Sequence, residues 1–322
     1  MFNKNVRYFY IISLFIVSNL GYGLSLVHAN NTVSEQSKLI LNLADLIESE
    51  YVIKNVAINV AYKLRNDVAL NRYSQYYKNP IELSEVLTKN IKKYSNDKHF
   101  YVEFVKNKSN EDNWIDEWLN DASSTNFGIK KIELLNNEIG YLALSTFYPL
   151  ELAEPAFINA MHLLQNTQGM ILDLRFNGGG DNSLVNALLH TFLPNDVELP
   201  LKIESRHSIE PKKSAPKLKW EPYSENKKLI VLVNNRTFSA PEAFAFSLQE
   251  TGRAVIIGTQ SAGGAHMTDK AIKLSGGYEA GIPNKRPVSI KTGKNWESTG
   301  VIPNIIATDD EAIKVALEQL KM

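Results

Sequence analysis

Ser239 and a small set of histidines and glycines define the chemistry open to this chain, which has six histidines and no cysteine. Ser239 follows the apolar run Leu229-Ile230-Val231-Leu232-Val233, short and β-branched like a buried strand. Asn234-Asn235-Arg236-Thr237 is turn chemistry. Beyond the serine, Ala243, Phe244, Phe246 and Leu248 carry a helical period, with Glu242 in the first turn and Gly252 at the end. A serine at that junction presents its hydroxyl at a helix N-terminus, where backbone N–H groups are unpaired and point outward. It can act there as a nucleophile, or simply cap the helix.

A serine nucleophile needs a base. His28 lies in the leader, His162 and His190 in helical patterns, and His207 in a polar stretch. His99, at the mouth of a strand in Asp97-Lys98-His99-Phe100, and His266, after Gly263-Gly264, are the two that a cleft could use. Asn177-Gly178-Gly179-Gly180 follows the apolar run Met170–Arg175, which carries two charges that must pair or enter a site. The glycine run lacks the spacing of a nucleotide cradle. It suits either a permissive turn or an oxyanion hole, in which backbone N–H groups approach a reacting carbonyl unobstructed. No metal-binding spacing occurs, and thiol chemistry and disulfides are excluded, so neither cofactor nor metal is expected.

The elements that must hold these residues can be read in order. Residues 34–94 carry helical patterns for about three helices, one opening at Asn79-Pro80-Ile81-Glu82. His99–Val105 and Ile139–Leu144 read as strands, Pro155–Gln168 as a helix, Met170–Arg175 as a strand and Asn182–Leu193 as a helix. Residues 194–226, polar and rich in proline, read as a long excursion or hairpin. Ala254–Gly258 and parts of Lys270–Ser289 have strand character, and Asp309–Lys321 is an amphipathic helix. Alternation of strand and helix from Ile139 onward predicts an α/β (α+β) layered fold.

Several blocks, in order, resemble the tail-specific (C-terminal-processing) serine peptidases. Leu172-Asp173-Leu174-Arg175-Phe176-Asn177-Gly178-Gly179-Gly180 is similar to their LDLRxNxGG signature, Phe238-Ser239-Ala240-Pro241-Glu242 to their SAxE motif, and Gly252-Arg253-Ala254 to Gly258 to their GRAxxxG strand. Gly264 stands where many members carry a lysine beside the serine. The Asp97–Phe100, Thr259–His266 and Trp296–Asn304 blocks resemble instead the branch of interphotoreceptor retinoid-binding protein and the tricorn protease core. The resemblance spans roughly 95–304. It implies a crotonase/ClpP-like layered core, with Ser239 as nucleophile, His99 as base and Glu297 as the acid that orients the imidazole. Ala240 N–H with Gly178 or Gly179 N–H would form the oxyanion hole. His266 remains the second choice as base, and Glu242 reads as a residue favoured by the helix dipole. The sequence departs from the tricorn-like pattern at Lys98, where a serine would assist the triad, and no peptide-binding PDZ module can be placed.

Length and composition agree with an enzyme of one main domain: 322 residues, 44% hydrophobic, formal net charge zero. Nothing in that charge suggests nucleic acid or an anionic membrane as partner. Lys4 and Arg7, the apolar run Tyr8–Val17 and the small-residue end Val27-His28-Ala29 have the form of a secretory signal peptide. Its removal leaves 33 basic residues against 35 acidic, a net of −2. The expected organisation is a signal peptide over 1–29, a helical subdomain over 30–94 and a peptidase core over 95–322. The leader predicts a periplasmic or secreted protein without stable membrane insertion, acting on polypeptides. A retained anchor is the alternative for the leader. For the protein, the alternatives are a non-catalytic binder of small apolar ligands and an esterase using the same site.

Overall fold

The structure is a computed structural model and describes residues 34–105, 114–136, 138–194, 197–209 and 215–321; the expected signal peptide lies outside them. The chain opens with helices α1 (Glu35–Glu50), α2 (Lys54–Ala69) and α3 (Pro80–Ser95). Helix α3 starts where its capping sequence predicts: the Asn79 side chain accepts from the Glu82 N–H, and Pro80 occupies the first turn. Strand β1 (Tyr101–Phe104), helix α4 (Trp114–Ser124), strand β2 (Ile129–Leu135) and strand β3 (Ile139–Leu144) follow. Then come α5 (Leu150–Leu164), β4 (Gly169–Asp173), α6 (Asn182–Phe192), β5 (Leu201–Ser205), β6 (Lys228–Val233), α7 (Ala240–Glu250) and β7 (Val255–Gly258). The chain closes with β8 (Ile272–Lys273), β9 (Tyr278–Gly281), β10 (Lys285–Ser289), β11 (Ile305–Ile306) and α8 (Ala312–Lys321).

Six strands form the main sheet in the order β11-β7-β6-β4-β3-β2, with β2 antiparallel to β3 and the other pairs parallel. The runs read as buried strands, β4 and β6, are central, and their largely apolar composition suits a parallel strand covered on both faces. One face carries the larger core, including Phe157, Phe192, Phe244 and Trp296. The other packs Ile171, Ile230 and Leu232 against Ala312 and Ala316 of α8. The two charges of β4 and its exit pair with each other: the Arg175 guanidinium donates to both Asp173 oxygens at 2.9 and 2.6 Å, and Tyr141 OH donates to Asp173 at 2.7 Å. Arg175 also reaches the Asp309 carbonyl ahead of α8, so this pair braces the sheet rather than entering the site.

Helices α1 to α3 share a core with a second sheet, β1-β9-β8, in which Phe100, Val102, Tyr278 and Ala280 meet Leu43, Leu64 and Leu87. From Glu35 onward the chain is one compact unit. Two departures from the sequence reading are local. Helix α5 begins at Leu150, so Pro155 lies inside it and does not open it. Leu152 and Ala153 N–H both bond to the Pro149 carbonyl, and Pro155, in the second turn, has no N–H to donate to the Glu151 carbonyl. The proline-rich excursion contributes β5, which pairs antiparallel with the distant β10.

Candidate active site

Ser239 stands between β6 and α7 in an uncommon backbone conformation, φ +70° and ψ −115°. Left-handed φ values are costly for a side chain other than glycine and are held by surrounding bonds. Those bonds come from both sides of the turn. The Asn234 side chain accepts from the Arg236 N–H, Thr237 Oγ1 donates to the Leu174 carbonyl, and the Phe238 N–H donates to the Asn177 carbonyl. Glu242 Oε2 then accepts from the Ser239 N–H at 2.7 Å. The Ser239 hydroxyl is 3.1 Å from His99 Nε2.

His99 enters from the segment between α3 and β1, and its ring stacks on Phe238 at 4.6 Å between centroids. Of the two histidines the sequence left open, the structure brings His99 to Ser239. The position of Gly264 explains why a lysine has no room there. A Cβ at 264 would lie 2.1 Å from the Phe238 ring and 2.7 Å from His99 Cε1. The imidazole and its stacking partner fill the space a longer side chain at 264 would need.

His266 lies behind this pair, 4% exposed, with Nδ1 2.7 Å from Asp97 Oδ2. Asp97 is 1% exposed; Tyr51 OH donates to its Oδ2 at 3.1 Å, and the His99 N–H donates to its Oδ1 at 2.8 Å. Burial alone would raise the Asp97 carboxyl, but hydrogen bonds from His266 and His99 hold it well below the usual carboxylate range. Burial and the neighbouring Asp97 push the Tyr51 phenol far above its ordinary value, so it acts as a donor.

Glu297 is not on His99. Its Oε2 accepts from the Ala265 N–H at 2.6 Å and the His266 N–H at 3.2 Å, and the ring nitrogen it faces is His266 Nδ1 at 3.8 Å. His99 Nδ1 and Glu297 Oε1 are both buried without a hydrogen-bond partner among the described residues. The carboxylate oxygen facing His99 Nδ1 belongs to Asp97, at 3.7 Å, beyond hydrogen-bonding reach. The expected contact fails to form because two loop N–H groups capture the Glu297 carboxylate. Asp97, His266 and Glu297 bring ligand-type atoms within 4.8 Å of one another, a spacing a cation would also require. Their hydrogen bonds use those atoms, which makes the group a hydrogen-bond network.

The glycine loop sits beside Ser239: a Cβ on Gly179 would lie 3.6 Å from Ser239 Cβ. The Gly179 N–H donates to Asn177 Oδ1 at 3.0 Å and so is not free for an oxyanion. The Gly178 and Ala240 N–H groups donate to no group among the described residues. A cavity of about 780 Å³ opens at Ser239 and Ala240, with Ala243, Leu201, Pro287 and Trp296 among its apolar walls.

Glu242 has a larger part than the helix dipole alone would assign it. It is fully buried, and besides Ser239 it accepts from Ser261 Oγ at 2.5 Å and from the Gly263 and Gly264 N–H groups at 2.6 and 2.9 Å. Burial pushes its carboxyl up, and these donors offset that only in part. Glu242 thereby clamps the serine turn to the loop that backs His99. An acid three residues after an N-cap is the sequence signal for half of this arrangement; the contact with Gly263 and Gly264 is tertiary.

The profile of peptidase family S41 matches residues 138–307, more than half of the chain. Among solved structures, the chain is similar to a putative peptidase from Parabacteroides merdae, with a TM-score of 0.62 and 18% identity over 89% of this chain and 97% of the other. It is similar to the photosystem II D1 C-terminal processing protease, with a TM-score of 0.54 and 17% identity over 87% and 97%. It also resembles the tricorn protease, with a TM-score of 0.57 and 16% identity over 90% of this chain and 37% of that one. Identities this low speak for the fold, while the profile match speaks for the family. The chain belongs to peptidase family S41 and is a serine-type peptidase.

Proposed function

We propose that Ser239, His99 and Glu297 form a catalytic triad that hydrolyses polypeptides through an acyl-enzyme. The observation that carries this reading is the 3.1 Å contact between Ser239 Oγ and His99 Nε2. His99 Nε2 takes the hydroxyl proton as Oγ attacks the peptide carbonyl. The oxyanion is held by the Ala240 and Gly178 N–H groups; one such donor contributes about 10²–10³ in rate. The proton passes to the leaving amine as the C–N bond breaks. Water, deprotonated by the same imidazole, then hydrolyses the serine ester and restores Ser239. Glu297 Oε1 closes on His99 Nδ1 as the imidazolium forms. In support, both atoms are buried and unpartnered, and Glu297 is anchored at Ala265, next to the glycine that lies against His99. Hydrogen bonds of this kind commonly tighten only with substrate bound.

The test is reaction of the purified protein with a fluorophosphonate and with unfolded casein, wild type against Ser239→Ala. Serine labelling and casein cleavage that both vanish in the variant are expected; equal cleavage by the two proteins would sink the reading. Export rests on the leader pattern of residues 1–29. N-terminal sequencing of protein from the periplasmic or culture fraction should begin at Asn30. A chain retained in the cytoplasm with Met1 intact would overturn export and leave the chemistry standing.

A further inference from the structure

We propose that Asp97, secured by His266 and Tyr51, is a positioning residue for His99, and that through Tyr51 the opening helices form part of the catalytic apparatus. The inference rests on the reading of His99 as the base. Asp97 divides its two oxygens between two tasks. Oδ1 accepts from the His99 N–H at 2.8 Å and lies 3.7 Å from Nδ1 of the same residue, so one oxygen addresses both the backbone and the ring. Oδ2 faces away, toward His266 Nδ1 at 2.7 Å and Tyr51 OH at 3.1 Å. A carboxylate buried to this degree stays ionised only if donors replace water, and these contacts supply them.

The two carboxylates near His99 therefore differ in kind. Glu297 holds a loop with one oxygen and leaves the other unpartnered, whereas Asp97 has both oxygens engaged and is built into the chain two residues before the base. An anion fixed 3.7 Å from Nδ1 favours the N–H tautomer there, leaves Nε2 to accept the serine proton and stabilises the imidazolium that results. The remaining surroundings of the ring are the stacked Phe238, Ser239 Oγ and the Gly264 backbone, while Lys98 turns away to the Ala262 carbonyl. The groups that face Asp97 are Tyr51, His266, His99 and, within the same cluster, Glu297.

Tyr51 follows the last residue of α1, and its place is itself fixed. Arg206 donates to the Tyr51 carbonyl at 3.0 Å and to the Glu48 carbonyl at 2.8 Å, and the Val52 N–H donates to the Pro283 carbonyl. The ring is 1% exposed and packs on Phe100 at 4.7 Å between centroids. The end of α1 thus meets the residue directly after His99 as well as the carboxylate before it.

The deciding experiment titrates the His99 imidazole by ¹⁵N NMR in full-length protein carrying Ser239→Ala, so the readout needs no turnover. Adding Asp97→Asn should lower the His99 midpoint by about one pH unit, because the imidazolium loses its facing anion. Tyr51→Phe removes one hydroxyl and keeps the packed ring; it should displace the same midpoint by a few tenths of a unit. It serves as the deciding arm if Asp97→Asn does not fold. Midpoints unchanged from the parent in the folded variants overturn the proposal, since a purely structural role would alter melting and leave the titration in place. Failure of the peptidase reading is seen separately, as absence of serine labelling in the wild type.

Discussion

The nucleophile side and the base side of the site are built in opposite ways. Ser239, its turn and the Glu242 that accepts from its N–H lie in one continuous stretch, β6 to α7, braced by Leu174, Asn177 and the 261–264 loop, and both oxygens of Glu242 have donors. The base side draws on separated segments: Tyr51 after α1, Asp97 and His99 before β1, the Gly264–His266 loop, and Glu297. It also keeps two partnerless buried atoms, His99 Nδ1 and Glu297 Oε1. A buried polar atom without a partner costs roughly 1–3 kcal/mol, so the slack in this site is on the imidazole side. In the proposed mechanism the serine is set before substrate arrives, and the imidazole has room to tighten on it.

That contrast can be broken by variants on either side. The largest effect is expected for His99→Ala, which should lower kcat by about 10³-fold or more, with residual hydrolysis from the oxyanion donors. Steady-state kinetics on casein peptides checks it, and a rate within tenfold of wild type would remove His99 from the reaction. Glu242→Gln should act mainly on stability. An amide cannot accept at its nitrogen, so donors among Ser239, Ser261, Gly263 and Gly264 are stranded, at a cost of about 2–4 kcal/mol in urea unfolding. Glu297→Gln, on the side with slack, should lower kcat by about 10–10²-fold at nearly unchanged KM, with a smaller loss of stability than Glu242→Gln. The reverse ranking in unfolding experiments would erase the contrast.

The smallest effect is a pH dependence of stability. Asp97 is depressed in the folded state, so its contribution is fully present above the ordinary carboxylate value near 4 and is lost as pH falls below it. The difference in melting temperature between wild type and Asp97→Asn should therefore shrink as pH falls below about 4. A difference that kept growing toward low pH would contradict the charge assigned to Asp97.

The parts legible in the sequence were those whose signal is local. The apolar run 229–233, the turn, the serine and the helix after it lie contiguous, and β-branched residues, turn residues and helical period each report on their own neighbourhood. The same holds for the capped start of α3 and for β4. The pairing of β1 with β9 and of β5 with β10 was not legible, because partners far apart in sequence leave no periodic trace in either strand. Helix α4 and strand β2 have no counterpart in the sequence reading, and α5 begins before the proline that was read as its start.

What the sequence alone determined about this protein is a set of groups, a serine at a helix N-terminus, two histidines able to serve it and a glycine run, with a family resemblance implying His99 as base and Glu297 as its acid. Tertiary structure decided among them. His99 meets Ser239 and His266 meets Asp97, because the ring of His99 fills the space that Gly264 leaves open beside Phe238. Glu297 is held on the loop N–H groups and Glu242 became the clamp, because a buried carboxylate takes whichever donors the fold leaves unpaired around it. Residue type sets what a side chain can exchange, while the identity of its partner depends on groups well separated from it along the chain, which no local pattern encodes.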